Sequence, residues 1–589
     1  PANNEKGDVG NMMKKTGAWL VRYALEQIGV KHTFGIPGVH NTEIYDELNN
    51  SESIEPVLVT HEASGSFMAD AISRTSDSIG TMMIVPAAGA SYSSAGMGEA
   101  YMAGVPMLVI AGGIRSNSDY RYQLHDMDQH AMLKPVTKET YCIEHHKDII
   151  PTIFEAYDTA MSGLPGPVFV EVPVNLQMDK GDVAELPVYR ALNRSVELDI
   201  DAIDKAVEQL CNAKNPGLFV GWGAKESTEW LIKIAELLNA PVSTTLQGLS
   251  VFPANHPLHV GMSFGPAAVP AATNAFKHCD CMLAVGTRFA EIPTGSFGVT
   301  VPKKLIHIDI DSRVFNANYP ASVTIEGDAS SVLERLYDVL SQRPAPKNER
   351  EAVATEIRKD KLQYDEEWAS HDSDDRVNPA AFFKGLRAQL ADDDYVVADD
   401  GNHTFLAAEL MPIHKSKHFI SPSDFNCMGY CVPAVIGTKL VNPEKQVVGI
   451  IGDGAFAMTC MEILTASRLR IAGVFFVFHD GELSQISQAQ EIPYNRKTCT
   501  VLGDIDVSGV ARATGARFLS LECDADINSV IQKSLELANT GVPVVVDVNV
   551  DYSKRTRFTK GIVGTNLKRF EMGTKARFIG RAVKRKITG

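Results

Sequence analysis

Short apolar strands alternating with helix-like stretches over most of a 589-residue chain predict an α/β protein of three doubly wound, Rossmann-like domains with mainly parallel sheets. Two further observations support that class. The length exceeds what one core serves and suggests about three to four domains. The strand-like run Val447–Ile451 opens directly onto Gly452-Asp453-Gly454-Ala455-Phe456, followed by helix-like residues to Arg468 and a second apolar run, Val474–Phe478, ending on His479-Asp480.

The first domain is expected over residues 13–184, with strands at Val57–Thr60, Thr81–Val85, Met107–Ile110 and Val168–Val170 between Gly-, Ala- and Met-rich helical stretches. A polar, Pro-containing passage near Asp182–Glu197 leads to the second, at 198–342. Its strands are expected at Gly217–Val220, Val242–Thr245, Met282–Val285 and Leu305–Ile310, with a helix at Ser331–Ser341. The charged, Pro-rich Arg343–Arg350 reads as a linker to a third domain at 375–550. No sequence repeat is visible, although the first and third domains share a helix-strand rhythm.

Apolar content of 44% and charged content of 22% are ordinary for a soluble globular protein. The first sixteen residues are polar and no run of about 18 apolar residues occurs, so neither a signal peptide nor a membrane span is expected, and the cytoplasm is the expected compartment. Nine scattered cysteines without C-x-x-C spacing are expected to be reduced, buried thiols. A net charge of −16 argues against a nucleic-acid partner. The tail 551–589 departs from that average: twelve Lys and Arg stand against Asp551 and Glu571, a local excess of +10.

A strand delivering a glycine pair around one aspartate to a helix start offers free N–H groups to a phosphate. Asp453 beside that anion is repulsive unless a hard divalent cation such as Mg²⁺ lies between them. Asp480 follows 27 positions later at the end of the next strand, where a parallel neighbour would bring it to the same crevice. Gly-Asp-Gly alone is a common turn; the whole order of strand, loop, helix, strand and polar pair is the signal. In the first domain, Val57–Thr60 runs into His61-Glu62 and a small-residue helix, which puts a carboxylate at the carboxyl end of a strand. Standing alone, it would be an ordinary acid at a helix start.

Together these segments resemble the thiamine diphosphate-dependent enzyme superfamily, most closely its acetolactate synthase, pyruvate oxidase and benzaldehyde lyase group. The resemblance covers nearly the whole chain and implies a pyrimidine-binding domain, a central domain and a diphosphate-binding domain. By position it makes Gly452, Asp453, Gly454 and Ala455 cofactor-binding. The metal ligands would be Asp453, the Asp480 side chain and the Glu482 carbonyl, with His479-Asp480 standing where the family usually has Asn-Asn. Glu62 would hydrogen-bond the aminopyrimidine ring as the principal acid-base residue, with its domain paired to the third domain of a second chain in a homodimer or homotetramer. Met428, in Cys427–Ala434, would support the bent cofactor, and Asn402 and His403 would donate to the diphosphate. The central segments Gly221-Trp222-Gly223, Gly286-Thr287-Arg288 and His307–Asp311 look like loops that bind FAD in some relatives and are empty in others; both alternatives stand.

The expected cofactors are therefore thiamine diphosphate and Mg²⁺, with FAD open, and the expected substrate is a small 2-oxo acid or acyloin. Acetolactate synthase-like carboligation or decarboxylation leads. A benzaldehyde lyase-like acyloin lyase, a flavin-dependent pyruvate oxidase and a non-catalytic cofactor-binding scaffold are the alternatives. His40 lies where benzaldehyde lyase also carries a histidine, and His125 or Gln123 falls where the family's active-site glutamine is expected. Ala489 replaces the tryptophan that selects the acceptor oxo acid in acetolactate synthases. The basic tail is expected to act as a lid or in packing between subunits rather than on a membrane, because Gly561, Gly564, Gly573 and Gly580 interrupt a long helix.

Overall fold

The computed structural model describes residues 13–183, 185–192, 197–343 and 352–588; the first twelve residues and the expected linker from Pro344 onward lie outside them. The chain forms two compact units, residues 1–194 and 195–589.

The first unit contains β1 (Met13–Thr16), β2 (His32–Gly35), β3 (Glu55–Leu58), β4 (Gly80–Ile84), β5 (Met107–Gly113), β6 (Glu139–Cys142), β7 (Pro167–Pro173) and β8 (Lys180–Val183). Six strands form a sheet in the order β3-β2-β4-β5-β7-β6, and every pairing in it is parallel. β1 and β8 pair antiparallel as a separate ribbon. Every residue of β4 and β5 is buried, as helices on both faces require, so these strands read as continuous apolar runs. The four expected strands are present within a few residues of their expected ends. β2 and β6 escaped notice because four-residue strands carrying His-Thr and Glu-Thr have no such run.

One charged cluster lies deep in this unit. Arg74 meets Asp70 through Nε (2.7 Å) and Nη2 (3.2 Å) and approaches Glu99 at 3.8 Å, with all three side chains essentially inaccessible. Removing the cation takes an ion-pair partner from two buried carboxylates. Arg74→Met is expected to lower unfolding stability by about 3–5 kcal/mol, measured by urea denaturation.

The second unit carries two sheets. One comprises β9 (Pro216–Val220), β10 (Val242–Thr244), β11 (His259–Met262), β12 (Cys281–Val285), β13 (Lys304–Asp309) and β14 (Val323–Glu326), ordered β11-β10-β9-β12-β13-β14. The other comprises β15 (Tyr395–Ala398), β16 (Phe419–Ile420), β17 (Val447–Gly452), β18 (Val474–His479), β19 (Arg517–Leu521) and β20 (Val544–Asn549), ordered β16-β15-β17-β18-β20-β19. All are parallel. Numbered within each sheet, the first and third share one strand order, whereas the middle sheet has the dinucleotide-fold order. The shared rhythm is thus a shared topology without sequence repetition. The unforeseen helix Val353–Ala369 precedes the third sheet and buries Trp368 in its core with Phe382 and Phe383.

Two expectations are corrected. The tail glycines do not interrupt its helices: Arg557–Arg569 contains Gly561 and Gly564, Met572–Thr588 contains Gly573 and Gly580, and the break falls at Phe570-Glu571. Gly561 is there for close packing, since a Cβ would lie 2.3 Å from the Ala267 Cα. The nine cysteines are free, but Cys142 and Cys499 are exposed. No described helix is long and apolar enough to cross a membrane.

Candidate functional site

In a doubly wound sheet, ligands bind where neighbouring strands lead their connections to opposite faces. In the third sheet that point lies between β15 and β17. Their loops carry Asp399–His403 and Gly452–Ala455, so the sequence motifs converge by topology. β17 and β18 pair in parallel with Gly452 opposite Phe478, which sets Asp453 and His479-Asp480 on one carboxyl edge.

Asp453 is buried, and its two oxygens accept the Gly454 and Gly481 N–H groups at 2.9 and 2.8 Å. Burial raises its pKa. Burial and the nearby Asp453 charge push Asp480 up to about 6, against the hydrogen bond it accepts from the Ser484 hydroxyl. Residues 481–483 run antiparallel to 500–502: Leu483 donates to Thr500 and Leu502 to Gly481, each at 2.8 Å, flanking the bridge Glu482–Val501. A residue flanked in this way turns its own carbonyl away from the partner strand, so the Glu482 carbonyl is not used in this ladder. The Glu482 side chain is tied to Ser487 and Lys497. His479 Nδ1 sits 3.0 Å from Asp547, whose hydrogen bond raises the imidazole pKa, while Nε2 lies 3.8 Å from Asp453. A cavity of about 520 Å³ opens here beside His479, Asp480, Asp504 and Asp547.

The opposite loop is held by Asp399, fully buried and accepting from Asp400 (2.8 Å), Gly429 (2.9 Å) and Cys431 (2.7 Å). Those bonds fix the half-buried Met428 so that its methyl group lies 3.8 Å from where a Gly454 Cβ would be. His403 is buried between two glycines: a Cβ on Gly401 would lie 2.6 Å from its ring and one on Gly452 3.1 Å. Burial pushes it down to about 3 although the Asp399 carbonyl accepts its proton, and Nε2 has no hydrogen-bond partner. A partnerless buried nitrogen at this crevice marks a position that a bound group would satisfy. Because the ring's one proton is already directed to Asp399, donation from Nε2 to a phosphate requires a second proton. Asn402 begins the adjoining helix, Asn402–Leu410.

In the first unit the equivalent point lies between β2 and β4. Glu62 opens the helix Glu62–Thr75 after β3, is 6% exposed, and reaches the first turn of the helix Ala88–Ala103, entered through the loop after β4: a Cβ on Gly89 would lie 3.5 Å from its Oε1. That loop is strained. Ala87 has φ 53° and donates its N–H to Gln129 Oε1 at 3.1 Å, a conformation costing about 1–3 kcal/mol and typical of functional sites. His40, in the loop after β2, meets His125 edge to face with ring centroids 5.2 Å apart; its Nδ1 is buried without a partner, and burial and His125 lower its pKa. Gln123 is tied to the Arg115 carbonyl at 3.2 Å on the exposed part of the loop. His125, not Gln123, is therefore the residue beside His40. Gln129, Asp547 and Tyr45, whose hydroxyl donates to the Met83 carbonyl at 2.9 Å, also build these sites, and the sequence pattern did not mark them, whereas Asp399 opens the Asp399–His403 segment that resembles the family's diphosphate-side loop. The one sequence signal near Gln129 is Asp128, a residue type that caps helix starts, immediately before it.

In the second unit, Ala489 is exposed on the helix Ser484–Tyr494, against which the tail helix packs; Arg581 lies 5.5 Å above the Tyr494 ring. The middle sheet's glycines are used in backbone packing: a Cβ on Gly221 would lie 2.3 Å from the Gly286 carbonyl oxygen, and one on Gly223 2.7 Å from the Gly286 Cα. Arg288 pairs with Asp424.

Three doubly wound sheets and a buried carboxylate facing a glycine crevice define a cofactor-dependent enzyme of the thiamine pyrophosphate class, and the chain belongs to that family. Family models match its N-terminal TPP-binding domain at residues 15–132, its central domain at 203–336 and its C-terminal TPP-binding domain at 399–548. Within the family it stands in the acetolactate synthase and pyruvate oxidase group. It is similar to the acetolactate synthase large subunit of Haemophilus influenzae, 30% identical over 557 residues, spanning 92% of this chain and 96% of that one. It is also similar to the acetolactate synthase isozyme 3 large subunit of Escherichia coli (29%; 92% and 95%) and to the acetolactate synthase of Mycobacterium leprae (30%; 90% and 86%).

Proposed function

We propose that this enzyme uses thiamine diphosphate with Mg²⁺ to join or cleave C–C bonds next to the carbonyl of small 2-oxo acids, with acetolactate synthase-like carboligation as its main reaction. The observation that carries the metal assignment is the pair of carboxylates on adjacent strand ends, buried Asp453 and solvent-facing Asp480, followed by a Glu482 carbonyl left out of its ladder. Two carboxylates and a carbonyl are a hard oxygen set suited to Mg²⁺, and a divalent cation there would relieve the repulsion that now favours their protons. Gly452, Gly454, Ala455, Asn402 and His403 would hold the diphosphate, and Met428 would brace the cofactor. When bound, thiamine diphosphate supplies the electron sink for bond making and breaking next to a carbonyl. The chain supplies Glu62 as the proton-handling group.

We place Glu62 opposite the third sheet of a second chain. Exposed Met458, Met461 and Leu464 just after Asp453 support association into at least a dimer. The carboligase reading is tested by incubating the purified protein with pyruvate, thiamine diphosphate and Mg²⁺ while recording its absorbance spectrum. CO₂ with a 2-hydroxy-2-methyl-3-oxo acid is the expected outcome. An enzyme inert to pyruvate that cleaves acyloins would replace it with the lyase reading, which the His40–His125 pair and the exposed Ala489 favour. A flavin spectrum with electron-acceptor reduction would point to an oxidase.

His40 provides a pH test. Its lowered pKa keeps it neutral, and able to accept a proton, below the usual histidine value of about 6.5. As pH falls through that lowered pKa the base is lost, so kcat/KM should decline on an acid limb below pH ~6.5. That limb should disappear in His40→Asn at a lower plateau. An unchanged profile would remove His40 from proton transfer.

A further inference from the structure

The first unit holds a group of side chains away from Glu62 that the proposed reaction does not use. Cys142 ends the edge strand β6 and stands directly opposite Glu171 of β7 in the parallel register, so both side chains leave one face of the sheet. His130, in the short helix Gln129–Leu133 whose start is capped by Asp128, lies over that face. Its ring packs edge to face on Phe169, two residues before Glu171, at 5.3 Å, and its Nε2 is 2.8 Å from Glu171 Oε2. One imidazole nitrogen, the Cys142 sulfur and one Glu171 oxygen all fall within 4.8 Å of one another.

We propose that His130, Cys142 and Glu171 form a second metal site, separate from Asp453 and Asp480, that takes a borderline-soft divalent ion of the zinc class. Bonds of about 2.0–2.3 Å to nitrogen, sulfur and oxygen place such ligand atoms about 3–4 Å apart around a tetrahedral ion. The three groups are already near that separation and need only small side-chain rotations. The donor set selects the ion. Thiolate and imidazole favour zinc-class ions, whereas Mg²⁺ prefers an all-oxygen shell such as the one at Asp453. Phe169 orients the imidazole as an outer-shell partner does in metal sites. Glu171 and His130 are 14% and 27% exposed and Cys142 is open to solvent, so the fourth position faces water, the arrangement of an exchangeable site rather than a closed structural one.

The thiolate allows a test that the magnesium site cannot imitate. The full-length enzyme, reduced and saturated with thiamine diphosphate and excess Mg²⁺, is titrated with Co²⁺ and followed in the near ultraviolet; Zn²⁺ uptake is measured in parallel by equilibrium dialysis. The expected result is a thiolate-to-cobalt charge-transfer band with an additional zinc equivalent that excess Mg²⁺ does not displace. Both should be lost in Cys142→Ser, an exposed substitution that leaves the core intact. His130→Ala should weaken zinc uptake by at least ~100-fold, since loss of even an outer-shell partner costs about 10–100-fold. Absence of the band, its persistence in Cys142→Ser, or displacement of the zinc by Mg²⁺ would each overturn the proposal.

Discussion

Asp453→Ala is expected to abolish magnesium-dependent thiamine diphosphate binding and with it turnover. Asp453 is not a surface acid that a neighbour could replace. It is 2% exposed, its oxygens are oriented by the Gly454 and Gly481 N–H groups, and it supplies one of the two carboxylates on that strand edge. Removing it leaves Asp480 and one carbonyl, too few fixed oxygens to hold the ion against water. Losing an outer-shell partner alone costs about 10–100-fold in metal affinity, so loss of the ligand itself should exceed ~100-fold. Calorimetric titration of cofactor at fixed Mg²⁺ measures this, with Asp453→Asn as the shape-preserving control. Normal cofactor affinity in both variants would refute the metal assignment.

The second large effect is expected at Glu62 and has the opposite signature. Glu62→Gln keeps the size of the side chain at the head of Glu62–Thr75 and its ability to hydrogen-bond but removes the ionisable carboxyl that takes up and releases a proton. Turnover should fall about 10²–10⁴-fold, the range of general acid-base catalysis, while cofactor and Mg²⁺ affinity change little. A fall in kcat with KM retained identifies an interaction made during the reaction rather than in substrate binding. If Glu62→Gln lost cofactor affinity and turnover in proportion, Glu62 would be a binding residue only. The two variants separate the roles: one loses the cofactor, the other keeps it and stops working.

The acetolactate synthase relatives align along almost the whole chain, and the departures that the sequence resemblance leads one to expect concern the acceptor side. Ala489 is exposed where the resemblance puts an indole, and His40 and His125 stand ring to ring. On the carboligase proposal, a wider and more polar acceptor side would alter selectivity more than the basic chemistry.

By itself, the sequence determined the fold class, because buried parallel strands must be apolar on both faces and so appear as short unbroken runs at 57, 81, 107, 168, 447 and 474. It also determined the diphosphate motif and the Glu62 segment, since a strand end, its loop and the next helix start are contiguous in the chain. Two short strands stayed hidden for different reasons: edge strand β6 buries no residue fully, and β2 fills its buried positions with Thr33, Phe34 and Gly35 rather than an aliphatic run, while the tail glycines misled because a helix tolerates glycine at a cost of only about 1 kcal/mol each. The tertiary structure decided every pairing across distance. Strand order placed Asp399–His403 beside Gly452–Ala455, brought Asp547 to His479 and Gln129 to Ala87, and set Cys142 opposite Glu171 with His130 above them. These partners lie tens of residues apart and share no local pattern. Parallel register brings Cys142 to Glu171 and β18 beside β20, and the packing of loops and of the helix Gln129–Leu133 on the sheet brings the others within bonding distance.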